Sequence, residues 1–289
     1  MILITGASGM AGKAVLNEAA KGGAKVRAMY RSQKEGAKTP SGTQPVIADF
    51  ADRVSLARAL EGVESVYLVC SPVPQLVELE SNMIDACVAA GVRRIVLNSA
   101  LGAGDYSKSF PVWHRKVEDK LKGTRIAYCI LRPNSFTQNL ATYYAPSIRA
   151  QGAFFNAMGN ARTSYLDIRD IAVVAAKALQ GGAHDGKTYE LNGPEALTCT
   201  VIAEKISRHS GSAAKYVEIP ADAQRKAMLE MGMPEWQVTA LLDLQAYYTG
   251  GQGGTVDGVL ERLLGRRPIT VDKYLAEFAA EFRGQAARA

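Results

Sequence analysis

Three glycines near the start of the chain have the spacing of a phosphate-binding turn. Gly6, Gly9 and Gly12 follow an apolar run over residues 1–4 and precede a helical pattern. Glycine at these positions permits a sharp turn, a close approach of backbone to phosphate, and close packing of helix on strand. The helix N-terminus adds free N–H groups and a partial positive charge, so the pattern predicts a dinucleotide site rather than an empty tight turn. The residues assigned to this part of the predicted site are Gly6, Ser8, Gly9, Met10 and Gly12.

The residues after the second predicted strand indicate which dinucleotide binds. That strand ends in Met29-Tyr30-Arg31-Ser32, and no acidic residue follows until Glu35. Arg31 can present its planar guanidinium to a 2′-phosphate, and Lys34 and Lys38 would add positive charge nearby. The sequence therefore favours NADP(H) over NAD(H). The alternative for Arg31 is a solvated side chain at the start of a loop.

Short apolar runs alternate with helical patterns through the first half of the chain. The predicted strands are residues 1–4, 24–30, 45–48, 65–70, 94–98 and 126–131. Helical periodicity follows Asp52, a candidate N-cap, and recurs over residues 75–90 and 112–122. This alternation predicts an α/β fold built on a doubly wound parallel Rossmann sheet.

Residues that directly follow these strands are the candidates for ligand contact, because parallel sheets bind ligands at the carboxyl ends of their strands. The strand-end candidates are Arg31, Asp49, Ser71, Ser99 and Pro133. We expect them to lie at one edge of the sheet although they are distant in sequence. Asp49 and Phe50 would then contact the adenine, and Ser71, Ser99 and Pro133 the nicotinamide.

The second half of the chain is mainly helical. The predicted helices are a segment ending near residues 181–182, then residues 198–210, 220–232, 234–249 and 270–283; strands are expected at 188–191 and 215–219. The glycine-rich run 250–254 is interpreted as a flexible linker, with a lid over a cleft as the alternative. We predict an NAD(P)-binding domain over residues 1–192, whose residues 133–161 contribute to the substrate cleft. Residues 193–289 would form a smaller substrate region.

Composition and charge restrict the class of protein. The 289 residues are 47% hydrophobic and 21% charged, and no apolar run approaches the roughly 20 residues of a membrane span. The chain starts without a basic leader, and its four cysteines lie far apart in apolar segments, so we expect a cytoplasmic protein with reduced thiols and no metal site. The net charge of +6 is spread along the chain, which argues against a nucleic-acid partner. The expected partner is a small-molecule acceptor, and the protein would be a monomer or homodimer.

The chain resembles the atypical short-chain dehydrogenase/reductases of the NmrA-like family. The likeness is carried by Gly6 to Gly12, Arg31, Ala48-Asp49-Phe50, Ile130-Leu-Arg-Pro133 with Phe136 and Asn139, Tyr165 to Ala172, Pro234-Glu-Trp236 and Gly265-Arg-Arg-Pro268. The family includes quinone and dye reductases, isoflavone-reductase-like enzymes and redox-sensing regulators. The resemblance therefore implies an NADP(H)-binding Rossmann fold and leaves the activity to be decided by the catalytic positions.

The helix before the sixth strand departs from the wider superfamily, whose extended reductases commonly read Y-x-x-x-K-x-x-x-E-x-x-L. Glu118 and Leu121 match the last two positions, but Phe110 stands in place of the tyrosine and His114 in place of the lysine. Phenylalanine cannot donate a proton, so the usual machinery for carbonyl reduction is absent in this alignment. Ser99 matches the catalytic serine of the superfamily, and would bind the nicotinamide or a substrate oxygen, or only cap the next turn.

The loss of the tyrosine and lysine favours an acceptor that needs little acid catalysis. Hydride transfer to a quinone or cationic dye needs mainly proximity and orientation. His114, with an ordinary pKa of about 6.5, would supply a proton or hold the nicotinamide ribose, or would have only a structural role. Phe136, Trp236 and Tyr247 would line a flat apolar cleft, with core packing as the alternative for each.

Three hypotheses follow from these positions. The first is an NADPH-dependent oxidoreductase that reduces a quinone, dye or similar conjugated acceptor. The second is a redox sensor that binds NADP(H) without turnover and acts through a protein partner. The third, an isoflavone-reductase-like reduction, is weaker because that group uses a lysine near the position of His114, and Lys116 would point elsewhere on the helix.

Overall fold

The chain divides into two units, and neither is a continuous segment. The computed structural model describes residues 1–36 and 39–284. One unit, here called the sheet unit, contains Met1–Asp105, Phe110–Pro133 and Ile168–Glu190. The other, the helical unit, contains Tyr106–Ser109, Asn134–Asp167 and the described residues from Leu191 onward.

The sheet has the doubly wound topology that the alternation predicts. The strands are β1 Ile2–Ile4, β2 Val26–Tyr30, β3 Thr43–Ile47, β4 Ser65–Leu68, β5 Arg94–Asn98, β6 Ala127–Pro133, β7 Ala153–Asn156, β8 Lys187–Leu191 and β9 Lys215–Glu218. Among the described residues, the order across the main sheet is β3-β2-β1-β4-β5-β6-β8. Strands β1 to β6 pair in parallel, with Ile4 opposite Ala28 and Tyr67. Their carboxyl ends therefore meet at one edge.

Helices cover the sheet on both faces. They are α1 Met10–Lys21, α2 Gln33–Gly36, α3 Arg53–Ala59, α4 Leu76–Ala89, α5 Ser109–Lys122 and α7 Ile168–Gln180. One hydrophobic core joins alternate strand residues, such as Leu3, Val66 and Leu97, to Leu56 of α3 and Met83 of α4. Helices α1 and α7 pack together on the other face. Asp52 caps α3 as predicted, because its side chain accepts a hydrogen bond from the backbone N–H of Val54 at 3.0 Å.

The helical unit has its own core and a separate small sheet. Its helices are α6 Ala145–Gln151, α8 Cys199–Ser210, α9 Ala221–Glu230, α10 Glu235–Thr249, α11 Val259–Leu264 and α12 Val271–Phe278. Strands β7 and β9 pair in parallel, with Phe154 opposite Tyr216. The core places Phe154, Ile202 and Leu275 together. Since β7 and α6 belong to this core, residues 134–167 group with the C-terminal segment, whereas the predicted division placed them before a boundary at residue 192.

Gly253, within the glycine-rich run 250–254, is buried and hydrogen-bonded, which the interpretation of the run as a flexible linker does not predict. The carbonyl oxygen of Gly253 accepts hydrogen bonds from the backbone N–H of Ser164 at 2.8 Å and from Nδ2 of Asn134 at 3.0 Å. A Cβ atom on Gly253 would lie 2.0 Å from a ring atom of Tyr248. Glycine is used here because the backbone passes directly against an aromatic ring. This run forms a short 3-10 turn, Gln252–Gly254, within the helical unit.

The structure also describes the state of the cysteines and the length of the apolar helices. Cys70, Cys87, Cys129 and Cys199 are free thiols. None of the helices in the described ranges is long and apolar enough to cross a membrane.

Candidate active site

The glycine turn leaves the start of α1 open to an anion. Gly6 has a φ of +57°, and its carbonyl oxygen accepts a hydrogen bond from the N–H of Gly9 at 2.9 Å. Gly9 caps α1 without a side-chain hydrogen bond, and the first turn carries no acidic residue. Ser8, Gly9 and Met10 are exposed. The helix N-terminus thus has the positive potential and accessible backbone that a pyrophosphate requires.

Gly12 is required by the close contact of α1 with the end of β1. A Cβ atom at this position would lie 2.1 Å from the carbonyl oxygen of Gly6 and 2.6 Å from that of Thr5. Both neighbours are backbone atoms and cannot move aside as a side chain can. Gly12 therefore determines how near α1 lies to the turn. The cradle formed by Gly6, Gly9 and Gly12 fits the pyrophosphate of a dinucleotide.

The end of β2 lies beside this turn. The N–H of Ala7 donates to the carbonyl oxygen of Met29 at 3.4 Å, and Arg31 is exposed just beyond. Glu35 follows, and its carboxylate accepts hydrogen bonds from Ser8 Oγ and from the backbone N–H of Arg31, both at 3.2 Å. Lys34 is exposed, and Lys38 lies outside the described residues.

Asp49 and Phe50 occupy the turn after β3, next to the end of β2. The exposed Asp49 accepts a hydrogen bond from the N–H of Ala51 at 2.8 Å, which stabilises the turn. Phe50 is half-buried against the sheet core, and its carbonyl oxygen accepts from Asn82 Nδ2 at 3.1 Å. Their contact with adenine stays a prediction, but hydrogen bonds from Ala51 and Asn82 hold this corner in place.

Ser99 and Pro133 are brought together by strands β5 and β6. The N–H of Ser99 donates to Leu131 O at 2.8 Å, and the N–H of Leu101 donates to Pro133 O at 3.0 Å. Ser71 is exposed in the segment after β4, beside Cys70. Burial raises the pKa of the Cys70 thiol to about 12, so this cysteine is not a thiolate at neutral pH.

The hydroxyl of Ser99 donates to a buried carboxylate that the sequence had not singled out for chemistry. Ser99 is 2% exposed, and its Oγ lies 2.6 Å from Oε1 of Glu118, which is 0% exposed. Arg132 holds the same carboxylate through Nε at 2.9 Å and Nη2 at 2.7 Å, and Lys122 Nζ lies 3.2 Å away. Burial raises the pKa of Glu118, but hydrogen bonds from Arg132 and Ser99 outweigh that effect and lower it overall.

This arrangement limits what Ser99 can do. Its hydrogen is committed to an ionised carboxylate, so the Oγ atom has only acceptor capacity left for a ligand. An acceptor suits an amide NH₂ group, such as that of a nicotinamide, better than the oxygen of a quinone. A charged Arg132 in an otherwise apolar strand was the sequence signal that such a carboxylate must be near.

His114 is buried one helical turn before Glu118. It is 8% exposed, and its Nδ1 atom is buried without a hydrogen-bond partner among the described residues. Burial lowers the pKa of His114 to about 4, against an opposing effect from Glu118. The pKa lies below the unperturbed histidine value of about 6.5 because the imidazole is removed from water. At neutral pH His114 is uncharged, so its imidazole carries one N–H donor and one acceptor nitrogen.

Phe110 packs as an aromatic core residue at the position of the missing tyrosine. It is 8% exposed, and its ring meets that of Trp113 edge to face at 5.2 Å between centroids. The start of α5 therefore presents no hydroxyl acid at this position.

The predicted aromatic cleft residues have different environments within the helical unit. Tyr247 is 6% exposed, and its ring centroid lies 4.9 Å from that of Tyr106, which is typical of core packing. Phe136 and Trp236 are half-buried, Phe136 beside Leu166 in an isolated β-bridge. A substrate contact stays a prediction for all three.

Comparison with known proteins supports the interpretation of these features. The NmrA-like family model matches residues 1–275. The chain is 30% identical to an NAD(P)H azoreductase of Xenophilus azovorans over 98% of this chain and 99% of that one. It is 30% identical to quinone oxidoreductase 2 of Escherichia coli over 94% and 96%. The crystal structure of the NADPH complex of QOR2 from E. coli superposes with a TM-score of 0.88 at 28% identity, covering 96% of this chain and 99% of that one.

These relatives confirm the predicted Rossmann-type fold, the reductase class and the NADP(H) cofactor. One relative is named an azoreductase and the other a quinone oxidoreductase, and they give no support to the alternative of a sensor without turnover. Because the model of the NmrA-like family matches nearly the whole length of this chain, the chain belongs to that family.

Proposed function

We propose that this protein transfers a hydride from NADPH to a quinone, a cationic dye or a similar flat conjugated acceptor. The observation that carries the proposal is the start of α5, where Phe110 replaces the proton donor and His114 is neutral. Such a site suits an acceptor that takes a hydride with little acid assistance. The quinone and azo reductases named among the relatives support this class of acceptor.

Each part of the sheet edge has a distinct task in this proposal. The cradle of Gly6, Gly9 and Gly12 binds the pyrophosphate, and Arg31 pairs with the 2′-phosphate. Ser99, oriented by Glu118, accepts a hydrogen bond from the nicotinamide amide. When bound, the cofactor supplies the hydride from C4 of its reduced ring. The residues of the chain fix its orientation relative to the acceptor, which is the main catalytic contribution that hydride transfer requires.

The requirement for a proton differs between acceptors. A cationic dye accepts one hydride at its central carbon and becomes neutral, so no proton is needed. A quinone accepts one hydride and one proton to become a hydroquinone. In quinone reduction, we assign to the N–H of neutral His114 a hydrogen bond to the oxyanion that develops on the quinone. The proton that completes the hydroquinone comes from solvent.

The acceptor is proposed to be a small molecule, with Phe136 and Trp236 contributing apolar surface to its binding. We also propose a cytoplasmic monomer or homodimer without a nucleic-acid partner. The dispersed positive charge supports the absence of a nucleic-acid partner.

NADPH oxidation in the presence of a panel of quinones and triphenylmethane dyes tests the proposed function. We expect oxidation that depends on both the acceptor and the protein, followed through the absorbance of the reduced nicotinamide. A fluorescence titration with NADPH, without an acceptor, measures binding of the coenzyme separately. Binding of NADPH without oxidation by any acceptor in the panel would contradict the proposal.

Replacing His114 with alanine is expected to separate the two classes of acceptor. Loss of the N–H donor should lower quinone turnover by about tenfold or more, while dye reduction and NADPH affinity change little. The measurement is kcat for one quinone and one cationic dye with the same preparation. Because the pKa of His114 is about 4, we also expect no break in the quinone rate near the ordinary histidine pKa.

His184→Ala is the matched control, since His184 lies elsewhere in the sheet unit with its Nδ1 3.2 Å from the hydroxyl of Tyr189. If His114→Ala lowered kcat equally for the quinone and the dye, His114 would have a structural role and not donate to the quinone. An unchanged quinone rate would remove it from the mechanism.

A further inference from the structure

Glu35 places a carboxylate at the adenosine end of the proposed dinucleotide site. Its Oε1 atom accepts a hydrogen bond from Ser8 Oγ at 3.2 Å. Its Oε2 atom accepts from the backbone N–H of Arg31 at 3.2 Å and from Ser32 Oγ at 3.4 Å. The carboxylate therefore joins the glycine turn to the end of β2.

Glu35 is ionised at neutral pH. Desolvation raises its pKa, but hydrogen bonds from Ser8, Arg31 and Ser32, together with the positive charge of Arg31, outweigh that effect and lower the pKa overall. A negative charge thus interacts with the positive charge of Arg31, the residue that is expected to bind a 2′-phosphate. Every donor to Glu35 named above comes from the residues around this corner, so the charge is held there by the local fold.

Acidic and basic residues at this corner favour different coenzymes. In Rossmann folds, a carboxylate about 20 residues after the glycine motif accepts a hydrogen bond from the ribose 2′-hydroxyl of NAD, whereas an arginine accommodates the 2′-phosphate of NADP. Glu35 lies 23 positions after Gly12, and Arg31 lies 19 positions after it. This chain presents both groups, with direct contact between the Glu35 carboxylate and the Arg31 backbone.

We propose that Glu35 is a specificity-determining residue that makes the site bind NADH as well as NADPH. The inference rests on the proposed dinucleotide site. With NADH, the carboxylate accepts from the ribose hydroxyl in place of its present donor Ser8 or Ser32. With NADPH, Arg31 attracts the 2′-phosphate while Glu35 repels it, so the preference for NADPH is weaker than Arg31 alone would give.

Glu35→Gln is expected to move the two affinities in opposite directions. Removing the negative charge should tighten NADPH binding by about fivefold, because one repulsion between solvent-exposed charges is lost. The same substitution should weaken NADH binding by about fivefold, because a charged acceptor for the ribose hydroxyl becomes a neutral one. Arg31→Ala should weaken NADPH binding much more than NADH binding. The readout is the dissociation constant of each coenzyme from fluorescence titration of the whole protein, without an acceptor.

Glu61→Gln is the matched control, because it makes the same charge change at an exposed position before β4, near the amino ends of the strands. It should leave both dissociation constants unchanged. Binding of NADPH but not of NADH by the wild type would overturn the inference and leave the proposed function standing. Shifts of both affinities in the same direction in Glu35→Gln, or no shift, would also overturn it. Failure of the wild type to bind either coenzyme would reject the proposed function itself.

Discussion

Gly12→Ala is expected to weaken the binding of NADPH strongly. The added Cβ atom would lie 2.1 Å from the carbonyl oxygen of Gly6 and 2.6 Å from that of Thr5. Since both contacts are with backbone, α1 must move away from β1, and its N-terminus then no longer faces the pyrophosphate. We expect the dissociation constant to rise by at least about tenfold, measured by fluorescence titration, because both the helix-terminal charge and the backbone donors are displaced.

Gly22→Ala is the control for an added methyl group in the same helix. Gly22 caps the C-terminus of α1 with a φ of −78°, and a Cβ atom there would lie 3.6 Å from its nearest neighbour, Ala19 O. This variant should bind NADPH as the wild type does. If Gly12→Ala also bound NADPH normally, the cradle formed by Gly6, Gly9 and Gly12 would not be the pyrophosphate site.

Glu118→Ala is expected to have the largest effect on stability. The substitution leaves Arg132, whose side chain is 14% exposed, without the carboxylate that accepts its Nε and Nη2 hydrogen bonds. Removing one partner of a buried ion pair typically costs about 3–5 kcal/mol, so we expect the free energy of unfolding to fall by about 3 kcal/mol at neutral pH. Urea denaturation monitored by circular dichroism measures this loss.

The pH dependence of that loss follows from the lowered pKa of Glu118. A carboxyl whose pKa is lower in the folded state stabilises the protein above its unfolded-state pKa, here 4.5, and this stabilisation disappears as the pH falls through the folded-state value. The difference between wild type and Glu118→Ala should therefore be greatest at neutral pH and shrink in acid. Adding Arg132→Leu to the variant should recover part of the stability. A loss below about 0.5 kcal/mol at neutral pH would contradict a buried ion pair here, because that is the size of an exposed one.

The features best predicted from sequence are those that depend on local patterns. Strands β1 to β6 and helix α4 follow from apolar runs and helical periodicity, and the glycine cradle follows from spacing between a strand and a helix. Apolar periodicity and glycine spacing can be read from a short segment, because they do not depend on residues elsewhere in the chain.

The elements that the sequence does not predict are short or depend on partners distant in sequence. Strand β7 has four residues and pairs with β9, about 60 positions later in the chain, so its own sequence carries little signal. Helices α6 and α11 have seven and six residues, too few for clear periodicity. The run 250–254 has the composition of a flexible linker, but tertiary hydrogen bonds from Ser164 and Asn134 hold it.

The sequence predicts which residue types lie in the site, but not their protonation or orientation. Ser99 and His114 were identified from their alignment with the superfamily pattern. Their surroundings were not, because the pKa of His114 depends on burial and the orientation of Ser99 depends on Glu118. Glu35 was noted only as the first acid after β2. Its contact with Ser8 exists because the parallel sheet brings the glycine turn beside the end of β2.

Isotopic tracing shows whether the protein transfers a hydride directly from NADPH to a conjugated acceptor. The protein is supplied with NADPH that carries deuterium at both C4 positions and with a cationic triphenylmethane dye in ordinary water, and the colourless product is analysed by mass spectrometry. We expect one deuterium at the central carbon of the product, and no product when the protein is omitted. Absence of reduction, or a reduced dye whose new hydrogen comes from water, would contradict direct hydride transfer.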